Sequence, residues 1–299
     1  MSLVCSRYSG WTDRLLPRYV PGNVPAPRRL LHLINPVTAP AGSDLHAAQP
    51  VTFAALADAR RQAEAHNLEI TQCAVGYPED AGAFPAGFRR LPDLERSVLD
   101  VGRFARPRKL PLIADLVARA VAAADATGAD TVVYTNVDIA PVPDFYPAIA
   151  ALLGRGYDAF SITRRTVSKD WPGGVADLPL MRAQLGAAHP GRDCFVFARE
   201  AARRYDLGRA CIGMTPVGKV LAANLLAHAV RYEDFKDLHL TFHLGEDRAW
   251  LAPDQEDYAA HNRAELLGVL RRLQARGLGS AHPAWTRLIR RLEPARENP

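Results

Sequence analysis

The sequence predicts one α/β domain, built on a mostly parallel, mixed sheet with helices on both faces and further helices at its C-terminal end. From residue 30 to 153, short apolar segments alternate with amphipathic helical segments, and this order produces parallel sheets. Residues 131–134 (Thr-Val-Val-Tyr) are all apolar or β-branched, which is typical of a strand buried on both faces. The 299 residues are 48% hydrophobic and 23% charged, enough for one such domain with a helical appendage.

Hydrophobic periodicity and turn residues place the individual elements. Strands are expected at 30–34, 68–75, 131–134, 159–163, 194–197 and 238–243. Helices are expected at 52–66, 110–126, 145–153, 255–276 and 283–292, the second ended by Gly128. Residues 36–50 and 78–108 are rich in proline, glycine or arginine and are expected to form loops. The chain therefore divides into an extended leader at 1–28, a main domain at 29–254 and a C-terminal helical appendage at 255–299.

Composition and missing motifs exclude several classes of function. The net charge of +5 suits a phosphate-bearing substrate, but no basic run alternates with aromatic residues, so no nucleic-acid partner is expected. The four cysteines lack the spacing of a zinc site or a disulfide framework. The sequence contains no nucleophile elbow, no Walker A loop and no dinucleotide fingerprint after the first strand. No apolar stretch approaches the ~18 residues of a membrane span, which predicts a cytoplasmic protein without a transmembrane segment and leaves peripheral membrane contact open.

The clearest candidate for chemistry directly follows the buried strand 131–134. Asn136 and Asp138 stand at alternate positions, which project to the same side of an extended chain. A carboxylate and an amide oxygen at a strand's carboxyl end can hold Mg²⁺ or Mn²⁺ against a diphosphate. The bound ion would neutralise charge on a departing nucleotide. The competing interpretation is an Asx turn, in which both side chains cap their own backbone.

The segment Asn136-Val137-Asp138 resembles the Asp-x-Asp motif of glycosyltransferases with the A-type nucleotide-diphospho-sugar transferase fold, a Rossmann-like sheet. The order of parts is also similar, because Asn35-Pro36-Val37 follows the first strand where that fold meets the nucleotide base. The resemblance covers roughly residues 30 to 250. It implies metal-dependent transfer of a sugar from a nucleotide diphosphate sugar, with UDP slightly favoured, to a hydroxyl of an unidentified acceptor. Mn²⁺ or Mg²⁺ would be the cofactor, bound by Asp138 and Asn136.

A second candidate lies at residues 189–197, His-Pro-Gly-Arg-Asp-Cys-Phe-Val-Phe. The turn places Asp193 at the mouth of an apolar strand, and in the resembled fold this region lines the acceptor side of the sugar. Asp193 would orient a sugar hydroxyl or act as the general base, with His189 nearby as a substrate-binding residue. The competing interpretation is an aspartate that stabilises a turn.

A third candidate is the late strand that contains His239, Thr241 and His243. Their alternation predicts that they share one face of the strand. Members of the resembled fold often supply a late histidine as a metal ligand, and His243, just before Gly245, is the candidate. The competing interpretation is a packed histidine with a hydrogen-bond partner.

Basic and aromatic residues complete the candidate set. Arg108 and Lys109 precede a helix, where free backbone N–H groups also favour anions. Arg164 and Arg165 follow the strand 159–163. Either pair could bind a diphosphate, and Trp171 could stack on a sugar ring. Solvated charges and a packed tryptophan are the alternatives.

Two other functions remain open at this stage. One is a sugar-1-phosphate nucleotidyltransferase on a related fold, which would favour a glycine-rich basic loop after the first strand. Residues 35–50 contain only Gly42 and no lysine or arginine, which counts against it. The other is a catalytically silent nucleotide-sugar-binding protein, because Asn136 replaces the first carboxylate of the motif.

Overall fold

The computed structural model describes residues 27–189, 191–245, 255–279 and Trp285. The predicted leader, apart from its last two residues, and the predicted helix 283–292, apart from Trp285, lie outside the described residues. The strands are β1 (Arg29–Ile34), β2 (Glu69–Ala74), β3 (Arg89–Arg90), β4 (Thr131–Thr135), β5 (Ala140–Pro141), β6 (Ala159–Ile162), β7 (Arg165–Val167), β8 (Ala187–Ala188), β9 (Cys194–Ala198), β10 (Tyr232–Phe235) and β11 (Thr241–Leu244). The helices are α1 (Asp44–Ala65), α2 (Ile113–Thr127), α3 (Phe145–Gly154), α4 (Leu178–Ala183), α5 (Arg199–Ala202), α6 (Val217–His228) and α7 (Glu256–Ala275).

The main sheet has seven strands in the order β10-β6-β9-β4-β1-β2-β3. β1 runs parallel to both β2 and β4, and β10 runs parallel to β6. β9 is antiparallel to β4 and to β6, which it separates. The start of β9 therefore lies at the same edge of the sheet as the carboxyl ends of β4 and β6.

Both faces of this sheet are buried, as the apolar runs of β1 and β4 predict. Leu31 and Leu33 face a core formed with α2, α6 and α7. Leu30 and Ile34 face a second core formed with α1 and α3. The predicted fold class, a mostly parallel mixed sheet flanked by helices, is confirmed.

A smaller sheet, in the order β5-β11-β7-β8, packs beside the main one. Val167, Phe242 and Leu244 form its apolar core with Val51 and Ala55 of α1. β5 begins two residues after Asp138 and pairs with β11. This pairing brings the late part of the chain back to the end of β4.

The helix predicted at 52–66 begins earlier, at Asp44, so the prediction of a loop through residue 50 was wrong. Ser43 caps the helix, since its Oγ accepts a hydrogen bond from the backbone N–H of His46 at 3.2 Å. Pro50 lies inside the helix, where a proline removes one backbone hydrogen bond but need not end the helix when the rest of it packs. The burial of Val51 and Ala55 provides that packing.

The strand predicted at 238–243 was also placed wrongly at its start. His239 has a left-handed backbone (φ 55°), and β11 begins only at Thr241. His239 therefore does not share a strand face with Thr241 and His243. The expected helix at 255–276 is confirmed at Glu256–Ala275, and Gly128 ends α2 with φ 69° as expected. Within the described part of the chain, no helix is both long and apolar enough to cross a bilayer.

Candidate functional site

The side chains that the sequence singled out after β4 and before β9 meet at one edge of the main sheet. β1, β2 and β4 end at this edge, and β9 begins there because it runs antiparallel to β4. In open α/β sheets, ligands bind beyond the carboxyl ends of the strands. The edge therefore has the position of a binding site.

Asp138 and His243, 105 positions apart in the sequence, are in direct contact. His243 Nε2 lies 3.1 Å from Asp138 Oδ2. The other ring nitrogen, Nδ1, donates to the backbone carbonyl of Gly245 at 2.9 Å, which fixes the ring and turns Nε2 toward the carboxylate. Asp138 Oδ1 is buried and has no hydrogen-bond partner among the described residues. One oxygen and one imidazole nitrogen thus converge, with a second oxygen that lacks a partner.

The pKa values of both groups are shifted by this contact. Burial raises the pKa of Asp138, but the hydrogen bond and charge of His243 and the charge of Arg164 outweigh burial and hold that pKa below its usual value. Burial lowers the pKa of His243, but the hydrogen bond and charge of Asp138 outweigh it and raise that pKa above the ordinary 6.5. The pair is therefore charged over a wider pH range than either group alone.

Asp138 and His243 fit a divalent ion that takes most of its ligands from the substrate and from water. Among the described residues, no group of three or more His, Cys, Asp or Glu side chains could enclose a metal. A closed structural site normally needs about four protein ligands, so the site is not of that kind. Mg²⁺ and similar ions are commonly held by one or two carboxylates, with substrate phosphates and water as the other ligands. The unpartnered Asp138 oxygen and the oriented His243 ring suit that arrangement.

Asp193 lies beside Asn136 and forms a buried ion pair with Arg164. Arg164 Nη1 donates to Asp193 Oδ2 at 2.6 Å, and the Asn136 amide donates to Asp193 Oδ1 at 3.2 Å. The backbone N–H of Asn136 also donates to the Asp193 carbonyl, at 3.2 Å. The side chains of Arg164 and Asp193 are only 5% and 11% exposed, so little water screens their charges.

This pairing changes what can be expected of Arg164. A guanidinium that is buried against a carboxylate at 2.6 Å has its charge balanced within the protein. His189 adjoins both partners, with Nε2 3.4 Å from Arg164 Nη2 and Nδ1 3.9 Å from Asp193 Oδ2. The structure thus brings together four predicted residues, Asn136, Arg164, His189 and Asp193, in one polar cluster beside the Asp138–His243 pair.

The end of β4 is held in place from inside the core. The hydroxyl of Thr135, the residue before Asn136, lies 2.9 Å from His32 Nε2. His32 Nδ1 lies 2.8 Å from the Tyr146 hydroxyl. Burial lowers the pKa of His32 to about 3, so its ring is neutral and one nitrogen donates while the other accepts.

The loop after β1 is fixed by two residues that the sequence analysis did not select. Gln49 of α1 accepts a hydrogen bond from the Val37 backbone N–H at 3.0 Å and donates to the Val37 carbonyl at 2.9 Å. Asp80 accepts from the Thr38 backbone N–H at 2.8 Å. Asp80 follows β2, which runs parallel to β1. Because neighbouring parallel strands end at the same edge, the polar residues after β2 were the sequence signal that could have identified Asp80 as a contact of the loop after β1.

Asn35 and Pro36 lie where β1 ends, as predicted. The Asn35 amide donates to the Val75 carbonyl at 2.6 Å, while its Oδ1 is buried with no partner among the described residues. Lys109 reaches the adjacent segment after β2, where Nζ lies 2.6 Å from Glu79 Oε1 and 4.0 Å from the Tyr77 ring centroid. An unpartnered acceptor and a cation thus lie beside the ends of β1 and β2.

Three other predicted residues make their contacts elsewhere. The backbone N–H of Arg108 donates to the Tyr258 hydroxyl at 2.6 Å. Arg165 Nε donates to the Leu185 carbonyl at 2.8 Å. Trp171 Nε1 donates to the Ser168 carbonyl at 2.7 Å, and its ring packs against the core of the small sheet. None of these contacts involves Asp138 or Asp193, so the substrate-binding roles of Arg108, Arg165 and Trp171 remain predictions.

Several solved structures are similar to this chain, at low sequence identity. TarS from S. aureus, residues 1–349, matches with a TM-score of 0.45 and 10% identity, over 81% of this chain and 66% of that chain. Its complex with UDP-GlcNAc matches over 88% of this chain and 80% of that chain, again with a TM-score of 0.45 and 10% identity. The chain thus spans slightly less than two thirds of the first of these structures.

Two further structures carry related descriptions. A putative glucose-1-phosphate thymidylyltransferase from Bacillus anthracis, in complex with a sucrose, has a TM-score of 0.40 and 11% identity, over 78% of this chain and 95% of that chain. A putative nucleotide-diphospho-sugar transferase from Desulfovibrio desulfuricans G20 has a TM-score of 0.37 and 10% identity, over 81% of this chain and 98% of that chain. No protein-family profile and no curated protein sequence matches this chain.

Proposed function

We propose that this protein is a metal-dependent glycosyltransferase that moves a sugar from a nucleotide diphosphate sugar, UDP in preference, to an acceptor hydroxyl. The observation that carries the proposal is the contact between Asp138 and His243 at the carboxyl end of β4. An oxygen and an imidazole ligand converge there, at the edge where α/β sheets bind ligands. The unpartnered Asp138 oxygen supports it further.

Asp138 and His243 would hold Mn²⁺ or Mg²⁺, with Asn136 available through its amide oxygen. Such an ion, when bound, stabilises the negative charge that develops on a departing nucleoside diphosphate. The Gly245 carbonyl fixes the tautomer of His243, so the nitrogen that faces Asp138 has a free lone pair when the ring is neutral. The protein therefore presents the ligand pair already oriented.

The loop after β1 would receive the nucleotide. Gln49 and Asp80 fix the backbone of Val37 and Thr38, and Asn35 Oδ1 offers an acceptor without a partner. A pre-formed loop loses less conformational entropy when a ligand binds. Lys109 lies beside this loop and is paired with Glu79, so it would contact the phosphates by exchanging that carboxylate for them.

Asp193 would serve the acceptor. Its carboxylate accepts hydrogen bonds from Asn136 and Arg164, which hold it in place to orient the acceptor hydroxyl or to act as the general base. Arg164 acts through Asp193 as a positioning residue.

The direct test is a donor screen followed by a turnover assay. Thermal melting is measured with a panel of nucleotide sugars, with and without Mn²⁺, because a ligand that binds only the folded state raises the Tm. A metal-dependent rise with one donor, followed by acceptor-dependent release of free nucleoside diphosphate, is the expected result.

The same assay separates the alternatives. Release of pyrophosphate from a nucleoside triphosphate and a sugar phosphate would show a nucleotidyltransferase instead. Metal-dependent binding without turnover on any acceptor would indicate a nucleotide-sugar-binding protein. If no nucleotide sugar raises the Tm, the protein is neither the proposed glycosyltransferase nor a nucleotide-sugar-binding protein.

A further inference from the structure

A small cavity of about 190 Å³ lies between α4, β7 and the start of β11. None of its lining residues belongs to the Asp138–His243 pair or to the Asp193 cluster. The residues that matter for its chemistry are Arg165, Arg182, Gln184, His239 and Thr241. The cavity is therefore separate from the site to which the proposed function is assigned.

The wall of this cavity is strongly positive. Arg165 and Arg182 both line it, and none of its described lining residues is acidic. Arg165 donates to the backbone carbonyls of Leu185 and Gly186, which satisfy its hydrogen bonds but do not cancel its charge. Among the described residues, Arg182 has one carboxylate partner, Asp58, at 2.8 Å, and Asp58 also pairs with Arg61. The positive charges at the cavity therefore exceed the negative charges that face them.

Several donors on residues that line the cavity lack a hydrogen-bond partner among the described residues. Arg182 Nε and Nη2 are buried and make no hydrogen bond within the described residues. The hydroxyl of Thr241, a residue that is 1% exposed, is likewise buried and unpartnered there. A buried donor left without a partner costs roughly 1–3 kcal/mol, and more when it is charged. Three such atoms belong to two residues that line the cavity, so a bound group that drew these side chains toward it would supply the missing acceptor.

We propose that this cavity is a binding site for a compact oxyanion, such as a phosphate or carboxylate group. Two arginines line this one cavity, and they are suited to such a group because each guanidinium can donate two parallel hydrogen bonds. Liquid water occupies about 30 Å³ per molecule, so the cavity has the volume of several waters and admits a group of this size. The oxyanion would balance the excess positive charge and satisfy the Arg182 donors.

The test is a calorimetric titration of the full-length protein with inorganic phosphate and, separately, with acetate, in EDTA so that no metal-bound phosphate contributes. Arg182→Gln removes the charge, and Thr241→Val removes only a hydroxyl. Arg155→Gln is the matched control, because Arg155 is exposed after α3 and lies outside the cavity. Thermal melting of each variant checks that it folds.

The wild type should bind one of the two anions saturably, and the stronger binder identifies a phosphate or a carboxylate ligand. Arg182→Gln should weaken binding roughly 10–100-fold, Thr241→Val about 2–10-fold, and Arg155→Gln not measurably. Two results would overturn the site: no saturable binding of either anion, or equal affinity in the wild type and in both cavity variants. Nucleotide-sugar turnover does not enter this measurement, so the proposed function and this site can fail independently.

Discussion

At the scale of single residues, the site depends on contacts between side chains far apart in the sequence. Asn136, Asp138, Asp193 and His243 were selected from local pattern and resemblance, and the structure places them together. The partnership of Arg164 with Asp193 was not predictable, because residue type alone does not distinguish a phosphate ligand from a buried ion-pair partner. Only the antiparallel register of β6 and β9 decides it.

Asp138→Asn should remove most divalent-ion affinity and lower transfer by at least ~10–100-fold, because the amide cannot supply the anionic ligand. The matched control is Asp130→Asn. Asp130 directly precedes the first residue of β4, and its side chain is 79% exposed. Mn²⁺ titration calorimetry and a turnover assay measure both variants. Equal activity of the two variants would remove Asp138 from the mechanism.

The pH dependence of metal affinity follows from the raised pKa of His243. Burial lowers that pKa, but Asp138 outweighs burial, so the value lies above 6.5. Metal binds the neutral ring, so Mn²⁺ affinity should already decline at a pH above 6.5 and fall further as the pH drops. Calorimetric titrations between about pH 6 and 8 measure this, and a flat profile would exclude His243 as a ligand.

Without metal, the contribution of His243 to the stability of the fold should depend on pH in the opposite direction, decreasing as the pH rises. The protonated His243 is stabilised by ionised Asp138, so this contribution is fully present below pH 6.5 and is lost as the pH rises through the raised pKa. Melting curves of the wild type and of His243→Gln in EDTA should therefore converge as the pH rises. A constant difference between the two proteins would contradict the assignment.

Asp193 and Arg164 should behave as one unit in stability but not in turnover. Asp193→Asn or Arg164→Met alone leaves a buried charge unpaired and should cost about 3–5 kcal/mol. The double variant should recover a large part of that loss, since neither charge remains. It should still transfer sugar about 10²–10⁴-fold more slowly while binding nucleotide. Urea denaturation with a turnover assay gives the result, and additive stability losses or normal turnover would contradict it.

At the scale of elements, the sequence predicted the long apolar segments well and the short ones not at all. β1, β4, α3 and α7 have continuous or periodic apolar patterns, and they were placed within a few residues. β3, β5 and β8 have only two residues each, too few for any pattern, and they are defined by pairing with distant strands. The start of α1 was missed because Pro50 was taken as a loop signal, whereas the cap at Ser43 sets the helix boundary.

The helix α1 contributes to the site through Gln49, which bonds both backbone groups of Val37. Gln49→Ala should leave that N–H and carbonyl unpaired, lower stability by roughly 1–3 kcal/mol and weaken nucleotide binding about 10-fold. The control is Gln62→Ala on the same helix, whose amide contacts Asp144 at 3.2 Å. Calorimetric titration with UDP compares the two, and equal affinities would show that the loop after β1 does not bind the nucleotide.

At the scale of the whole molecule, two sheets cooperate to form one site. The main sheet supplies Asp138 at the end of β4, and the small sheet supplies His243 from β11. Parallel pairing within the main sheet was predictable from the alternation of strands and helices. The small sheet was not, because β5, β7 and β8 have only two or three residues each and only tertiary pairing makes them regular.

The most direct measurement of the central claim is an anomalous-scattering experiment on crystals grown with Mn²⁺ and UDP. We expect a manganese peak bonded to both Asp138 and His243 Nε2 and in contact with the diphosphate. The peak should be lost in Asp138→Asn crystals prepared in the same way. Bound UDP without manganese at these residues, or manganese bound elsewhere, would contradict the account.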